Sequence, residues 1–309
     1  MTDPPPTPRP SAPTPDVSPS HSSTAESLRP STVTRAQGSD STATTGRAGT
    51  AGQAGTDAWR RAWDAWHEAR WAAVSAPYGT AALADTVWLF PQEQEIEGLA
   101  GRWSTDGEHV VGTGLRGSAY TDAAGAPVDD TVALAGGEEL RAGDVLLRAF
   151  VRDGVPALRL FDPHVPGRMR LQRIDAYEPD PAWAVEAAFV PRDEPVGFDH
   201  IDGHRSVAEH TGTLEFELAG SPTRLTATVL SDTLWVVFAD ATSGTETYRF
   251  RFLHAALPDA AGRTTVDFTR AFLPPCAFSD HYVCPLPPPG NRLQFPVRAG
   301  ERLPVRTET

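Results

Sequence analysis

The polar side chains best placed for chemistry lie in the last third of the sequence, around Asp267 and Arg270. Asp267 stands between the apolar residues Val266 and Phe268, so in a strand it faces the opposite side from both. If that side is the interior of a barrel, the carboxylate needs a positive partner, which Arg270 or Arg251 could provide. A carboxylate beside Arg and Tyr in a concave site can hold a polar ligand or orient a water molecule. The same groups can equally form a buried structural network.

One set of candidate ligand-binding residues follows from this reasoning: Asp240, Thr242, Tyr248, Arg251, Asp267, Arg270 and Asn291. Residues 240–244 are predicted to form the tip of a hairpin, where Asp and Gly have an ordinary turn role. We expect the set to form a pocket that binds a small polar molecule or a peptide without catalysis. The first alternative is a hydrolase or lyase with Asp267 as general base and Arg270 or Arg251 stabilising negative charge. The second is a scaffold whose polar groups only hold the fold.

Two clusters contain the residue types that bind metals. Cys276, His281 and Cys284 could form a zinc triad with water as fourth ligand, and the two cysteines could form a disulfide. The second cluster matches no known zinc-binding spacing and comprises Asp199, His200, Asp202, His204, Glu209 and His210. We interpret this cluster as an exposed acidic loop and the cysteines as reduced, packed thiols. We therefore expect no metal and no cofactor.

Several catalytic and nucleotide-binding motifs are excluded. All 27 basic residues are Arg, which excludes lysine Schiff-base chemistry. The sequence has no G-x-S-x-G elbow and no Walker A loop. Residues 112–117 fit the G-x-G-x-x-G pattern, but Pro127 and poor helical periodicity follow them. We predict a glycine-bent strand or turn there, because a dinucleotide site requires a helix after the glycines.

The C-terminal third contains the string D-F-x-R-A-F-x-P-P-C-A-F, followed by Y-x-C-P-L-P-P-P-x-N-R-L and A-G-E. It resembles the C-terminal signature of the domain of unknown function 1684 family of bacteria and archaea. The resemblance extends back through residues 238–248 and covers residues 58–302. Thr269 and Leu273 stand where that pattern usually has Asn, and Phe272 and Phe278 where Tyr is common. Because the family's role is unestablished, the resemblance implies a shared fold and no particular reaction.

Composition and charge divide the chain and limit its partners. Residues 1–56 are rich in Pro, Ser, Thr, Ala and Gly and lack Trp, Tyr, Phe and Ile, so we predict a disordered leader. The charges of the leader cancel, so the net charge of −13 lies on residues 57–309, which we predict form a single domain. Such an acidic domain repels nucleic acid.

No run of about 18 apolar residues is present and the N-terminus has no secretory signal. We therefore expect a cytoplasmic protein that does not enter a membrane.

A mostly extended chain must position these side chains. One helix is predicted from Asp57 to Val74, with one face formed by Trp59, Trp63, Trp66, Arg70 and Ala73. We interpret that face as clamped onto a sheet.

Short apolar or alternating runs predict strands over residues 86–90, 109–115, 131–135, 144–152, 157–161, 183–190, 211–218, 224–230, 234–239, 247–253 and 264–268. Asp153-Gly154 is predicted to be a hairpin turn. After a proline-stiffened loop, Leu293–Val297 is predicted to be a returning strand. The expected fold is mainly β, an antiparallel sandwich or barrel with an N-terminal helix, preceded by the disordered leader.

Overall fold

The N-terminal helix is longer than the sequence predicts. The computed structural model describes residues 48–308. Helix α1 spans Ala48–Ser75, so it begins nine residues before the predicted start at Asp57. Residues 48–56 contain no proline, and their backbone can therefore continue the helical hydrogen bonds. The rest of the predicted disordered leader lies outside the described residues.

The face of α1 that the tryptophans define is the buried face. Trp63, Arg70 and Val74 are buried, whereas Trp66 is half-buried. The indole Nε1 of Trp63 donates a hydrogen bond to the carbonyl oxygen of Thr269 at 2.8 Å. The helix is therefore clamped onto the β-structure, as the spacing of its aromatic residues predicts.

Eighteen strands are present in residues 48–308, and the pairings between them are antiparallel. They are β1 Leu83–Trp88, β2 Arg102–Thr105, β3 Val110–Thr113, β4 Tyr120–Thr121, β5 Thr131–Leu134, β6 Glu139–Ala142, β7 Val145–Arg152, β8 Val155–Phe161, β9 Leu171–Ala176, β10 Ala184–Arg192, β11 Val196–Asp199, β12 Arg205–Ala208, β13 Thr211–Leu218, β14 Ser221–Val229, β15 Thr233–Phe238, β16 Arg251–Ala256, β17 Arg263–Asp267 and β18 Glu301–Arg306. The remaining helical elements are α2 Pro166–Met169 and five 3-10 turns, Thr80–Ala82, Pro181–Trp183, Phe268–Arg270, Pro275–Ala277 and Pro289–Asn291.

The first half of the described chain forms two sheets around one apolar cluster. A five-stranded sheet has the order β1-β8-β7-β6-β4, and a three-stranded sheet has the order β2-β3-β5. Trp103, Leu147 and Leu158 are fully buried between them. The predicted hairpin at Asp153-Gly154 joins β7 to β8, and both residues have a positive φ, 50° and 77°, as a tight two-residue turn requires. The G-x-G-x-x-G stretch is the end of β3 and a turn, also as predicted.

The second half forms a nearly closed barrel. Its six strands have the order β16-β15-β14-β13-β10-β17, and β16 and β17 at the two ends lie next to each other. The Thr264 hydroxyl on β17 donates a hydrogen bond to the Ala256 carbonyl on β16 at 2.8 Å, which links the two edges. Leu214, Val236 and Phe268 fill the interior. The predicted fold class, mainly antiparallel β with an N-terminal helix, is therefore confirmed.

The predicted returning strand at Leu293–Val297 is wrong. Those residues are irregular, and the returning strand is β18, which pairs with β9. Pro296 lacks an N–H donor, so the alternating pattern could not form a regular ladder there. The alternation instead reflects packing, because Leu293, Phe295 and Val297 contact the barrel core.

A third apolar cluster joins the two halves. It contains Leu83 and Phe161 from the first half, Phe252 from the outer face of the barrel, and both cysteines of the proline-rich loop. Among the described residues, no helix has the length and apolar character needed to cross a membrane.

Candidate functional site

Asp240 and Arg251 form an ion pair enclosed by the barrel. Asp240 follows β15 and Arg251 begins β16, and the Arg251 Nη2 atom lies 2.6 Å from Asp240 Oδ2. The side chains are 0% and 1% exposed, respectively. The guanidinium also donates hydrogen bonds to the carbonyl oxygens of Val297 and Ala299. Because the two side chains are closed off from solvent and these donors are engaged, the pair holds the irregular C-terminal segment on the barrel.

Thr242 completes the turn that Asp240 begins. Its backbone N–H donates to Asp240 Oδ1 at 2.6 Å, and its hydroxyl lies 3.0 Å from the Thr247 hydroxyl. Thr242 is fully buried. Asp240 and Thr242 therefore have the turn role that the sequence predicts, because the polar atoms of the turn form hydrogen bonds with one another.

Asn291 replaces part of a missing strand ladder. Strands β14 and β15 pair only at Thr228 and Val229 of β14. Beyond that point the Asn291 amide nitrogen donates to the carbonyl oxygens of Thr226 and Val237, each at 2.8 Å. Its amide oxygen accepts the Thr226 N–H at 2.7 Å. The side chain is fully buried and bridges two backbones that have separated.

Asp267 lies at the end of β17 and caps the 3-10 turn that follows. Its Oδ1 accepts hydrogen bonds from the Thr269 N–H and hydroxyl, the first at 3.0 Å. Arg270 Nε lies 3.4 Å from Asp267 Oδ2. The carboxylate is 20% exposed, while its neighbour Val266 points into the barrel. The structure therefore places Asp267 and Arg270 together, in a turn and outside the barrel interior.

A buried ion pair that the sequence reasoning missed connects α1 to β18. Arg70 Nε and Nη2 lie 3.0 and 3.1 Å from the two carboxylate oxygens of Glu301, which is fully buried. Glu301 also accepts the Leu273 N–H at 2.7 Å. The signal for this pair was an Arg on the buried face of the predicted helix, since a buried guanidinium requires a counterion.

Tyr248 is the member of the candidate set that faces a cavity. The cavity has a volume of about 460 Å³ and is lined by Ala81, Leu83, Ala84, Val165, Gly167, Arg170, Tyr248, Cys276, Ala277, Phe278, Ser279, Asp280, His281 and Arg306. The Tyr248 hydroxyl donates to the Cys276 carbonyl oxygen at 2.9 Å, and burial raises the pKa of Tyr248 to about 12. We call this cavity the Tyr248 pocket.

Two guanidinium groups face the Tyr248 pocket. Arg170 immediately precedes β9 and Arg306 ends β18, and the register of these strands pairs Arg306 with Leu171. Within residues 48–308, neither guanidinium has a carboxylate within 4 Å; Arg306 donates to the carbonyl oxygens of Ala277 and Phe278. Burial lowers the pKa of Arg306, and the positive charge of Arg170 lowers it further. The two positive charges therefore lie close enough to interact, and the Asp280 carboxylate, which also lines the pocket, partly offsets their effect on Arg306 without forming an ion pair with it.

The cysteines are free thiols beside this pocket. Both are buried. Interaction with the Cys284 side chain, with Tyr248 and Arg249 nearby, lowers the pKa of Cys276, whereas burial raises the pKa of Cys284 well above its usual value. The pKa values of the two thiols are thus shifted in opposite directions.

The other metal-type cluster is dispersed in the structure. His200 bonds to the Val283 carbonyl and the Ser206 hydroxyl, and His204 lies 2.6 Å from Asp153. His281 forms a separate ion pair with Asp85 at 3.1 Å. No group of three or more His, Cys, Asp or Glu side chains in the described part of the chain is arranged to hold a metal ion.

A smaller cavity of about 310 Å³ lies under α1. It is lined by Trp63, Asp64, His67, Glu68, Trp71, Gln172, Arg173 and Ile174. The His67 ring stacks on Trp63 with a centroid distance of 4.9 Å. Its Nε2 atom is buried and has no hydrogen-bond partner among the residues described. The lining combines the two indoles with charged side chains of both signs, Asp64, Glu68 and Arg173.

Taken together, the fold and the site define a β-barrel protein with a polar, guanidinium-lined cavity beside a pair of free thiols. Residues 170–302 match a family described as a protein of unknown function, DUF1684. The chain belongs to this family. An uncharacterized protein of Haloarcula marismortui, solved by solution NMR, is 33% identical over 42% of this chain and 76% of that chain, with a TM-score of 0.36. No curated protein matches.

Proposed function

We propose that this protein binds a small anionic molecule in the Tyr248 pocket, without catalysing its conversion. The observation that carries the proposal is the pair of guanidiniums, Arg170 and Arg306, which face the pocket with no carboxylate within 4 Å of either in the described chain. A guanidinium offers a planar fork of N–H donors that matches a carboxylate or a phosphate. An anion between the two would relieve their mutual repulsion.

The remaining lining suits a ligand of modest size. A volume of about 460 Å³ lies within the range of small-molecule sites. Leu83 and Phe278 offer apolar contact, and the Ser279 and Tyr248 hydroxyls offer hydrogen bonds. The class includes free carboxylates, small phosphates and the C-terminal carboxylate of a peptide. A long polyanion such as nucleic acid is outside the proposal, because the net charge of −13 repels it.

The expected residue set changes accordingly. Asp240, Arg251 and Asn291 are engaged in the structural contacts described above, and only Tyr248 of the original candidates lines the pocket. Asp267, the general base of the enzyme alternative, does not line this pocket, and its Oδ1 atom already accepts the Thr269 N–H and hydroxyl. The cytoplasmic location expected from the sequence is part of this proposal, and the free thiols support it.

Thermal unfolding in the presence of inorganic phosphate, succinate and citrate tests the proposal. A ligand that binds only the folded state must raise the unfolding midpoint. Arg170→Gln is the informative variant, because among residues 48–308 the Arg170 side chain makes one long hydrogen bond, 3.3 Å, to the Pro166 carbonyl oxygen. Loss of a charged hydrogen bond should weaken binding of the responding anion by about tenfold to a hundredfold.

Arg116→Gln is the matched control, since Arg116 is exposed and lies away from the pocket lining. It should bind as the unchanged protein does. The proposal is overturned if none of the three anions raises the midpoint, or if Arg170→Gln binds the responding anion as tightly as the control. Turnover of the bound anion would instead favour the hydrolase or lyase alternative.

A further inference from the structure

The lining of the Tyr248 pocket carries charges of both signs. Arg170 and Arg306 belong to the paired segments at β9 and β18, whereas Asp280 lies in the loop that follows the 3-10 turn Pro275–Ala277. Asp280 is exposed and the two arginines are half-buried, so a small solute can reach all three charged groups. A ligand of this pocket therefore meets a carboxylate as well as two guanidiniums.

The two guanidiniums keep donors free for a ligand. The Thr307 N–H donates to the Arg170 carbonyl oxygen at 2.9 Å, so the backbones that carry the two arginines are adjacent. Arg170 uses its Nε atom for the Pro166 carbonyl oxygen, and Arg306 uses its Nη2 atom for two carbonyl oxygens of the loop. Both Nη atoms of Arg170, and the Nε and Nη1 atoms of Arg306, have no acceptor among residues 48–308. Such N–H groups match the oxygens of a carboxylate.

Asp280 is a carboxylate without a counterion in the described chain. No basic side chain of residues 48–308 lies within 4 Å of it, and its neighbour His281 is paired with Asp85 at 3.1 Å. Arg306 reaches the same loop, because its Nη2 atom donates to the Phe278 carbonyl oxygen at 3.1 Å, two residues before Asp280. The free carboxylate and the free guanidinium donors therefore line one cavity without contacting each other.

We infer that the anion bound in the Tyr248 pocket is the carboxylate of a free amino acid, whose ammonium group pairs with Asp280. This inference rests on the proposed anion-binding function and names its ligand class. A ligand with a carboxylate and no ammonium leaves the Asp280 charge as a repulsion, and an amine without a carboxylate meets two positive charges. A zwitterion satisfies both signs.

The remaining lining indicates an apolar side chain on that amino acid. Leu83, Val165 and Phe278 contribute apolar surface to the same cavity, whose volume is about 460 Å³. A cavity of this size accommodates a small molecule with an aliphatic or aromatic side chain. Leucine and phenylalanine are therefore the probes that fit the class.

Thermal unfolding of the full chain with matched compounds tests the inference. L-Leucine is compared with 4-methylpentanoate, which lacks the ammonium group, and with 3-methylbutylamine, which lacks the carboxylate. L-Phenylalanine, 3-phenylpropanoate and 2-phenylethylamine form the second set. In at least one set the amino acid should raise the unfolding midpoint and bind at least about tenfold more tightly than either counterpart.

Asp280→Asn separates the ammonium contact from the anion site. It should weaken binding of the responding amino acid by about tenfold, and it should leave binding of the matched monocarboxylate unchanged or tighter, because a repulsion is removed. Because Asp280 is exposed and unpaired in the described chain, the midpoint without ligand should stay the same. Asp129→Asn is the matched control, since Asp129 is also exposed and is absent from the pocket lining. Arg170→Gln should instead weaken both the amino acid and the monocarboxylate.

The outcomes separate this inference from the anion-binding function. The amino-acid assignment falls, and anion binding stands, if a monocarboxylate binds as tightly as its amino acid or if Asp280→Asn binds the amino acid as tightly as Asp129→Asn. The same holds if phosphate, succinate or citrate raises the midpoint while neither amino acid does. If none of these compounds raises it, both the assignment and the anion-binding function are refuted.

Discussion

Replacement of Arg251 by Met tests directly whether the buried ion pair is structural. The substitution keeps most of the side-chain volume but removes the partner of the Asp240 carboxylate, which is fully buried. It also leaves the carbonyl oxygens of Val297 and Ala299 without their donor. We expect Arg251→Met to lower the free energy of unfolding substantially, because an unpaired charge would remain in the barrel.

The size of the expected loss of stability follows from the complete burial of the Asp240 and Arg251 side chains. Removal of one partner of a buried ion pair typically costs about 3–5 kcal/mol. An exposed pair of similar length provides the contrast: Arg263 Nη1 lies 2.8 Å from Glu186 Oε1, with side chains 54% and 68% exposed. The matched control Arg263→Met should therefore cost no more than about 1 kcal/mol.

Urea unfolding followed by tryptophan fluorescence measures both values. Adding Asp240→Asn to Arg251→Met should recover part of the loss, because it removes the uncompensated charge and keeps the oxygen that Thr242 uses. If Arg251→Met costs as little as Arg263→Met, the pair does not hold the fold, and a functional role for Asp240 and Arg251 regains support.

Two further predictions concern other parts of the structure. Burial lowers the pKa of His67 below its ordinary 6.5, with a smaller contribution in the same direction from Arg70. The unfolded chain therefore binds the proton more readily than the folded protein. The stability that this difference gives above pH 6.5 is lost as the pH falls from 6.5 through the pKa of the folded protein. His67→Gln should lose less stability between about pH 8 and about pH 5 than the unchanged protein, measured by urea unfolding, and parallel profiles would contradict the assignment. Gly300 has a φ of +77° and an added Cβ would lie 2.5 Å from the Ala271 carbonyl oxygen, so Gly300→Ala should cost at least about 1–3 kcal/mol. Gly290→Ala, where the Cβ meets open space, should be nearly neutral, and equal unfolding midpoints for the two variants would refute this reasoning.

The regular strands could be predicted because their signals are local. Alternation marked β13 at its exact bounds, Thr211–Leu218, and the Asp153-Gly154 pair marked the turn between β7 and β8. The same rule failed at Leu293–Val297, since alternate side chains there pack on the barrel end while Pro296 prevents a ladder. Short strands such as β2 and β6 were not predicted, because four residues carry too little pattern.

The polar network shows where local reasoning stops. The sequence indicated that a charge in the barrel needs a partner, and it named Arg251 as one of two choices for Asp267. The structure pairs Arg251 with Asp240 and leaves Asp267 to cap its own turn beside Arg270, the other choice. Which carboxylate a guanidinium reaches depends on how the C-terminal segment crosses the barrel, and no spacing in the sequence encodes that path.

The sequence by itself determined the antiparallel β class, the helix with its tryptophan face, and the family signature that contains both cysteines. Periodicity and turn chemistry act over a few residues, so they survive in a linear pattern. Only the tertiary structure decided that Arg170 and Arg306 face one pocket and that Cys276, but not Cys284, opens onto it. These facts depend on the pairing of β9 with β18 and on the proline-rich loop lying between the two β-structures, contacts that join segments more than a hundred residues apart.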